Sequence, residues 1–147
     1  PLAGRVAAVC VGGVYAENAA IKPPWAYPAG SGADNIYGNY LWLYSTDSRS
    51  RGYFVHYCHL QDDDLLRGML AGVNTAHDGV DTGTPVGTMG ETGNAAGQPQ
   101  LHVELHYPQD PALGYARRNF TCARCAPTKA PMTAFNPFPS LSKATAR

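Results

Sequence analysis

Alternation of apolar and polar positions, far more than helical spacing, organises this chain. Gly4 to Val11 (Gly-Arg-Val-Ala-Ala-Val-Cys-Val) predicts a first strand. Tyr40 to Ser45 predicts a second, followed by the polar hairpin loop Thr46-Asp47-Ser48-Arg49-Ser50-Arg51-Gly52. Tyr53 to His59 predicts a third, dense in aromatic and β-branched residues, with Tyr53, Val55, Tyr57 and His59 on one face and Phe54, His56 and Cys58 on the other. Asp63 to Ala71 breaks the pattern. Leu65, Leu66, Met69 and Leu70 fall at helical spacing, acidic residues sit at the start and Gly72 lies just past the end, which predicts one short helix. Val80 to Gly90 predicts two short strands around Thr82-Gly83-Thr84-Pro85. Leu101 to Tyr107 alternates strictly, with Leu101, Val103 and Leu105 on one face and His102, Glu104 and His106 on the other.

Two segments lack period. Gly12 to Gly38, rich in Gly, Pro, Ala and Asn around Pro23-Pro24-Trp25, is expected to be a long loop, ordered by Trp25, Tyr27 and Tyr37. From Pro108 to residue 147 the chain is Pro-rich and irregular, a segment expected to wrap the domain and fray after Leu141. Many short strands, glycine turns and one helix predict a single all-β domain, a small antiparallel sandwich or barrel.

Composition narrows the classes. A chain of 147 residues is one domain, long enough for a real core. Eleven basic residues balance eleven acidic ones and no basic patch stands out, which argues against a nucleic-acid partner. No apolar run approaches membrane-spanning length and no signal peptide is visible. The chain opens at Pro1 directly on strand-like sequence, as the exported part of a longer precursor would. Cys10 and Cys58 lie in predicted strands that a disulfide could join, and Cys122 and Cys125 form a lone Cys-x-x-Cys in the tail. A zinc ribbon needs a second pair, and a thioredoxin site needs a βαβ context. Two structural disulfides in an oxidising compartment are the expectation, with free buried thiols the alternative.

The chemistry-bearing feature is the glycine-punctuated run from Gly87 to Gly97 that leads into the strand carrying His102. Its glycines permit tight positive-φ turns. By alternation His56 and His59 face opposite ways, and His102 and His106 stand roughly 13 Å apart, too far to hold one metal ion. His59 and His102, on neighbouring strands, are the pair able to share a groove. Gln100 lies two residues before His102, on its face.

Four motifs follow one another in order: Tyr37-Gly38-Asn39-Tyr40, then Val55-His56-Tyr57-Cys58-His59-Leu60, then Gly83-Thr84-Pro85-Val86-Gly87-Thr88-Met89-Gly90-Glu91-Thr92-Gly93, then Leu101-His102-Val103-Glu104. The series resembles the lysostaphin/LytM-type zinc metallopeptidases, whose motifs are Gly-Tyr-Gly-Asn-Tyr, Tyr-x-His-Leu, Gly-x-x-(Ile/Val)-Gly-x-x-Gly-x-Thr-Gly and His-Leu-His-Phe-Glu. Pro1-Leu2-Ala3-Gly4-Arg5-Val6 is similar to the family's entry strand and Phe135-Asn136-Pro137 to its closing segment, so the resemblance spans nearly the whole chain. It implies an antiparallel LytM-like sheet with a groove holding one zinc, bound by an upstream His-x-x-x-Asp pair and the second His of His-x-His. It implies that His102 corresponds to the zinc-ligating histidine, that His59 corresponds to the catalytic one, and that Tyr37, Asn39, Tyr57 and Glu104 belong to the groove. In the family the metal polarises a peptide carbonyl and activates water, and the histidines stabilise the developing charge.

Two departures matter. Gln100 replaces the first His of His-x-His, and Gln is neither a general base nor a cation. The upstream His-x-x-x-Asp would lie just before Pro1. His77-Asp78-Gly79-Val80-Asp81 has that spacing but falls in the family's variable turn, where a short match is usually chance. Zinc needs about four donors, so zinc is expected to be absent or incompletely held. The Gly97-Gln98-Pro99-Gln100-Leu101-His102 form also resembles degenerate LytM domains that regulate cell-wall amidases. The resemblance therefore implies a catalytically impaired extracytoplasmic domain that binds a peptidoglycan stem or cross-bridge peptide, or a protein partner. The alternatives are an active zinc endopeptidase completed by upstream ligands, and a structural part of a larger assembly.

Overall fold

A computed structural model describes residues 3–23, 36–107 and 133–135. Among these residues seven strands form one antiparallel sheet: β1 (Gly4–Val11), β2 (Val14–Glu17), β3 (Asn39–Ser45), β4 (Phe54–Leu60), β5 (Gly79–Val80), β6 (His102–Tyr107) and β7 (Thr133–Phe135). The order across the sheet is β2-β1-β3-β4-β6-β7. β5 pairs with the first residues of β1, on the same edge that β2 occupies further along. The single described α-helix, α1 (Asp64–Gly72), follows β4. The all-β fold class is thus as the sequence implies.

Several elements differ from expectation for identifiable reasons. The segment after Gly12 holds a strand. Gly12 (φ 55°) and Gly13 (φ 78°) form a two-residue turn with both φ positive, and Val11 pairs with Val14 across it. The helix runs one residue further, through Gly72, and the left-handed residue is Asn74 (φ 63°). Between residues 80 and 90 only β5 forms. Beyond it the chain makes single bridges, Leu60 with Met89 and Gly90 with Gln100. The Trp25–Tyr27 region, Cys122 and Cys125, and nearly all of the 108–147 segment lie outside the described residues.

Each face of the sheet has its own core. On one, Val6, Val9, Val11, Leu41, Leu43 and Leu60 pack against Leu66 of α1 and against Val73, Val80 and Val86. On the other, Ala7, Ala8, Cys10, Tyr37, Tyr40, Trp42, Phe54 and Cys58 pack together. Val6 and Val9 share a face although three residues apart. The β1–β3 register slips between Val6 and Ala8, so a bulge turns both Ala7 and Ala8 to the aromatic side.

The expected Cys10–Cys58 disulfide is not formed, and both thiols are free and buried. β3 lies between their strands. Cys10 opposes Tyr40, and Tyr40 in turn faces the Cys58 region of β4. Two strand spacings put their Cα atoms roughly 9–10 Å apart, beyond the ~7 Å that a disulfide can span.

Candidate functional site

A second bulge builds the site. Asn39 pairs with Leu60 and Leu41 with Tyr57, so two residues of β4, Cys58 and His59, oppose the single residue Tyr40. His59 takes φ 61° to accommodate this, a left-handed conformation costing about 1–2 kcal/mol. The bulge overturns the alternation expected for β4. Tyr57 and Leu60 both face the aliphatic core, and His59 moves to the face of His56 and Cys58. His59 and His102 then lie edge to face with ring centroids 6.1 Å apart. Tyr37 stands between the buried and the exposed histidines, 5.1 Å from the His56 ring and 6.5 Å from the His102 ring.

Two crossing backbones hold His59. Gly38 (φ 64°) and Gly93 (φ 70°) pack against each other so closely that a Cβ on either would overlap the other segment's backbone. Thr92, beside the crossing, accepts a hydrogen bond from Asn39 N (2.9 Å) and donates through Oγ1 to Leu60 O (3.0 Å). The Asn39 side chain donates to Leu60 O and accepts from Gly12 N. His59 N donates to Tyr37 O at 2.8 Å. Nδ1 of His59 lies 2.8 Å from the Thr92 carbonyl oxygen. A carbonyl only accepts, so Nδ1 carries the proton and the Nε2 lone pair of neutral His59 is left to accept a proton or a metal ion.

Glu104 organises the other histidines. His102 Nε2 donates to Oε1 (2.9 Å) and His106 Nε2 donates to Oε2 (2.8 Å), with His56 Nδ1 3.6 Å from Oε2. Burial alone would push the Glu104 carboxyl up, but hydrogen bonds from His102 and His106, with the His56 imidazole close by, outweigh it and hold the carboxyl well below its ordinary range. The Glu104 hydrogen bond raises the His102 pKa and leaves Nδ1 as its acceptor. His56 is fully buried, stacked on Trp42 at 4.0 Å and 5°. Burial lowers its pKa to about 4. The Cys58 thiol lies 3.4 Å from His56 Nδ1, but burial, with the Glu104 charge, drives its pKa far up, so it is no thiolate nucleophile.

The remaining sequence-identified residues are placed as follows. Gln100 is exposed and pairs with Gly90, because the 88–90 segment is wedged between Leu60 and Gln100 where β6 would otherwise continue along β4. Gly90 admits that wedge: a Cβ there would sit 2.7 Å from Gln61 N. Tyr57 is half-buried against the aliphatic core, on the opposite face from Glu104. Of the His77–Asp81 stretch, His77 and Asp81 are exposed, while Asp78 is buried and bonded to Arg5 and Asn18. That stretch flanks β5, four strand positions from β6 in the sheet order. Among the described residues no three His, Cys, Asp or Glu side chains converge as a metal-binding group. Sequence reasoning missed His56 and His106 as members of the cluster. Their signal was the carboxylate Glu104 two residues from His106 on one strand face.

No family model matches the chain, and comparison with the curated proteins and with the solved structures finds no match.

Proposed function

We propose that this chain is a LytM-type domain of the cell envelope that binds a peptidoglycan stem or cross-bridge peptide beside His59 and His102 without hydrolysing it. The observation that supports this most is the Gly38–Gly93 crossing with its Thr92 carbonyl. It holds His59 in a costly conformation and in one tautomer, facing His102. Such strain concentrates where a side chain must be aimed. His59 Nε2 and His102 Nδ1 then offer acceptors to peptide N–H groups, and Gln100 supplies an amide that can donate as well as accept. The same two lone pairs favour a second reading, a zinc endopeptidase whose other ligands come from residues preceding Pro1.

The test is NMR titration of the chain with synthetic stem and cross-bridge peptides. Saturable shifts at Thr92, His59 and His102, weakened about tenfold by His102→Ala, with intact peptide after incubation in zinc, are expected. Stoichiometric zinc uptake by the chain extended on its N-terminal side, with peptide cleavage that His102→Ala abolishes, would establish the second reading, and no uptake by that longer chain would end it. Absence of any saturable shift would overturn the first reading.

A further inference from the structure

A separate cleft of about 500 Å³ opens at the far end of the aromatic face, where β1, the turn end of the β3–β4 hairpin and the segment after β2 meet. Arg5, Lys22 and Arg51 line it, with Tyr44, Phe54 and Ile21 as its apolar wall, and no acidic residue is among the lining. Its donors outnumber their partners. Arg5 donates from Nε and Nη2 to Asp78, which leaves three of its five N–H groups. Lys22 donates to Glu17. Arg51 has no ion-pair partner among the described residues. The wall is built in advance. Asn18 is buried and its Oδ1 accepts from the backbone N–H of Ala20 and Ile21, which pins Ile21 and Lys22 over the cleft. The Tyr44 and Phe54 rings are edge to face at 5.2 Å. Arg5 is likewise fixed by its fork on Asp78, a group that Asn18 also holds.

We infer that this cleft is a binding site for a small organic oxyanion, a carboxylate or phosphate on an aromatic or apolar body. The anionic group meets Arg51 and the remaining donors of Arg5 and Lys22, and the body lies against Phe54, Tyr44 and Ile21. Arginine suits the task because its planar fork matches two oxygens at once. This site shares no lining residue with the His59–His102 region and stands whether or not that region binds peptide.

The experiment is an NMR titration with benzoate, phenyl phosphate, inorganic phosphate and the neutral isostere benzamide. Benzoate or phenyl phosphate is expected to give saturable shifts at Arg51, Lys22, Tyr44 and Phe54, with benzamide and inorganic phosphate each at least tenfold weaker. Whichever aromatic anion binds tighter identifies the headgroup. Arg51→Ala should weaken that probe about tenfold and Arg51→Lys less. Arg51 lies on an exposed hairpin, so unchanged amide spectra elsewhere will show that the variant folds. Equal binding of benzamide would overturn the anionic half of the inference. Equal binding of inorganic phosphate would overturn the aromatic half, and indifference to Arg51→Ala would overturn the site.

Discussion

On the face that α1 covers, the buried side chains of the core are all aliphatic: Val6, Val9, Val11, Leu41, Leu43, Leu60 and Leu66 among them. On the other face of the same strands Tyr40, Trp42 and Phe54 share the interior with His56, His106 and most of Glu104. The first face is held by apolar burial, which is non-directional and indifferent to pH. The second buries a carboxylate and imidazoles, which persist there only while hydrogen-bonded and in one protonation state. One sheet thus separates a face that stabilises from a face that can respond.

Paired truncations are the strongest way to break that contrast. Trp42→Ala should cost about 3–5 kcal/mol and Leu66→Ala about 2–5 kcal/mol in urea denaturation, since both are fully buried. Their histidine titrations should differ. Trp42→Ala removes the ring stacked on His56, so the His56 pKa should climb from about 4 toward its ordinary value, because burial is the main cause of its depression. Leu66→Ala should leave the His56 and His102 titrations in place. Equal titration behaviour in the two variants would erase the distinction between the faces.

Between pH 7 and pH 4 acid should act mainly on the aromatic face. His56 is neutral when folded and titrates at about 4, against about 6.5 when unfolded. The unfolded chain therefore binds the extra proton, and the stability present above pH 6.5 is lost as pH falls toward 4. A difference of about 2.5 units corresponds to about 3 kcal/mol between pH 7 and pH 4. Denaturation at pH 7, 5.5 and 4 measures it. Glu104 has a depressed carboxyl and adds loss at still lower pH. His102 has the opposite sign: its raised pKa stabilises below 6.5, and that contribution fades as pH rises through its folded value. Glu104→Gln should return the His102 titration toward its ordinary position and cost about 1.5–3 kcal/mol, the range for hydrogen bonds to a charged group. An unmoved His102 titration would show that Glu104 does not govern it.

Much of this division was legible in the sequence and part was not, for a reason that particular residues show. The limits of β1, the β3–β4 hairpin, the Asp63 start of α1 and the His102–Glu104–His106 face of β6 all follow from local period and capping. The site depends on two bulges, and a bulge is set by the partner strand. Tyr53 to His59 alternates without fault, so nothing in that stretch marks Cys58 and His59 as sharing a face. The available hint needs the next residue: Tyr57 and Leu60 are apolar at a spacing of three, as are Val6 and Val9, and both pairs straddle a bulge. β2 was hidden because Val14 to Glu17 is short and directly follows two glycines. The Cys10–Cys58 pairing failed because strand membership says nothing of which strand lies between.

The mildest probe belongs to the aliphatic face. Asp63 caps α1: its backbone is extended (φ −128°, ψ 172°) and its side chain accepts from Leu66 N at 2.9 Å. Asp64 adds a second negative charge in the first turn, where the helix dipole favours it. The cap matters beyond the helix end, because the N–H it satisfies belongs to Leu66, the α1 residue that is fully buried against the sheet. Asp63→Ala should cost about 1 kcal/mol. Asp63→Asn and Asp63→Ser should recover most of it, since both keep an oxygen for that N–H. Because α1 touches only the aliphatic side, none of the three variants should move the His56 or His102 titration. A shift in either histidine would mean that the two faces are coupled through β1 or β4.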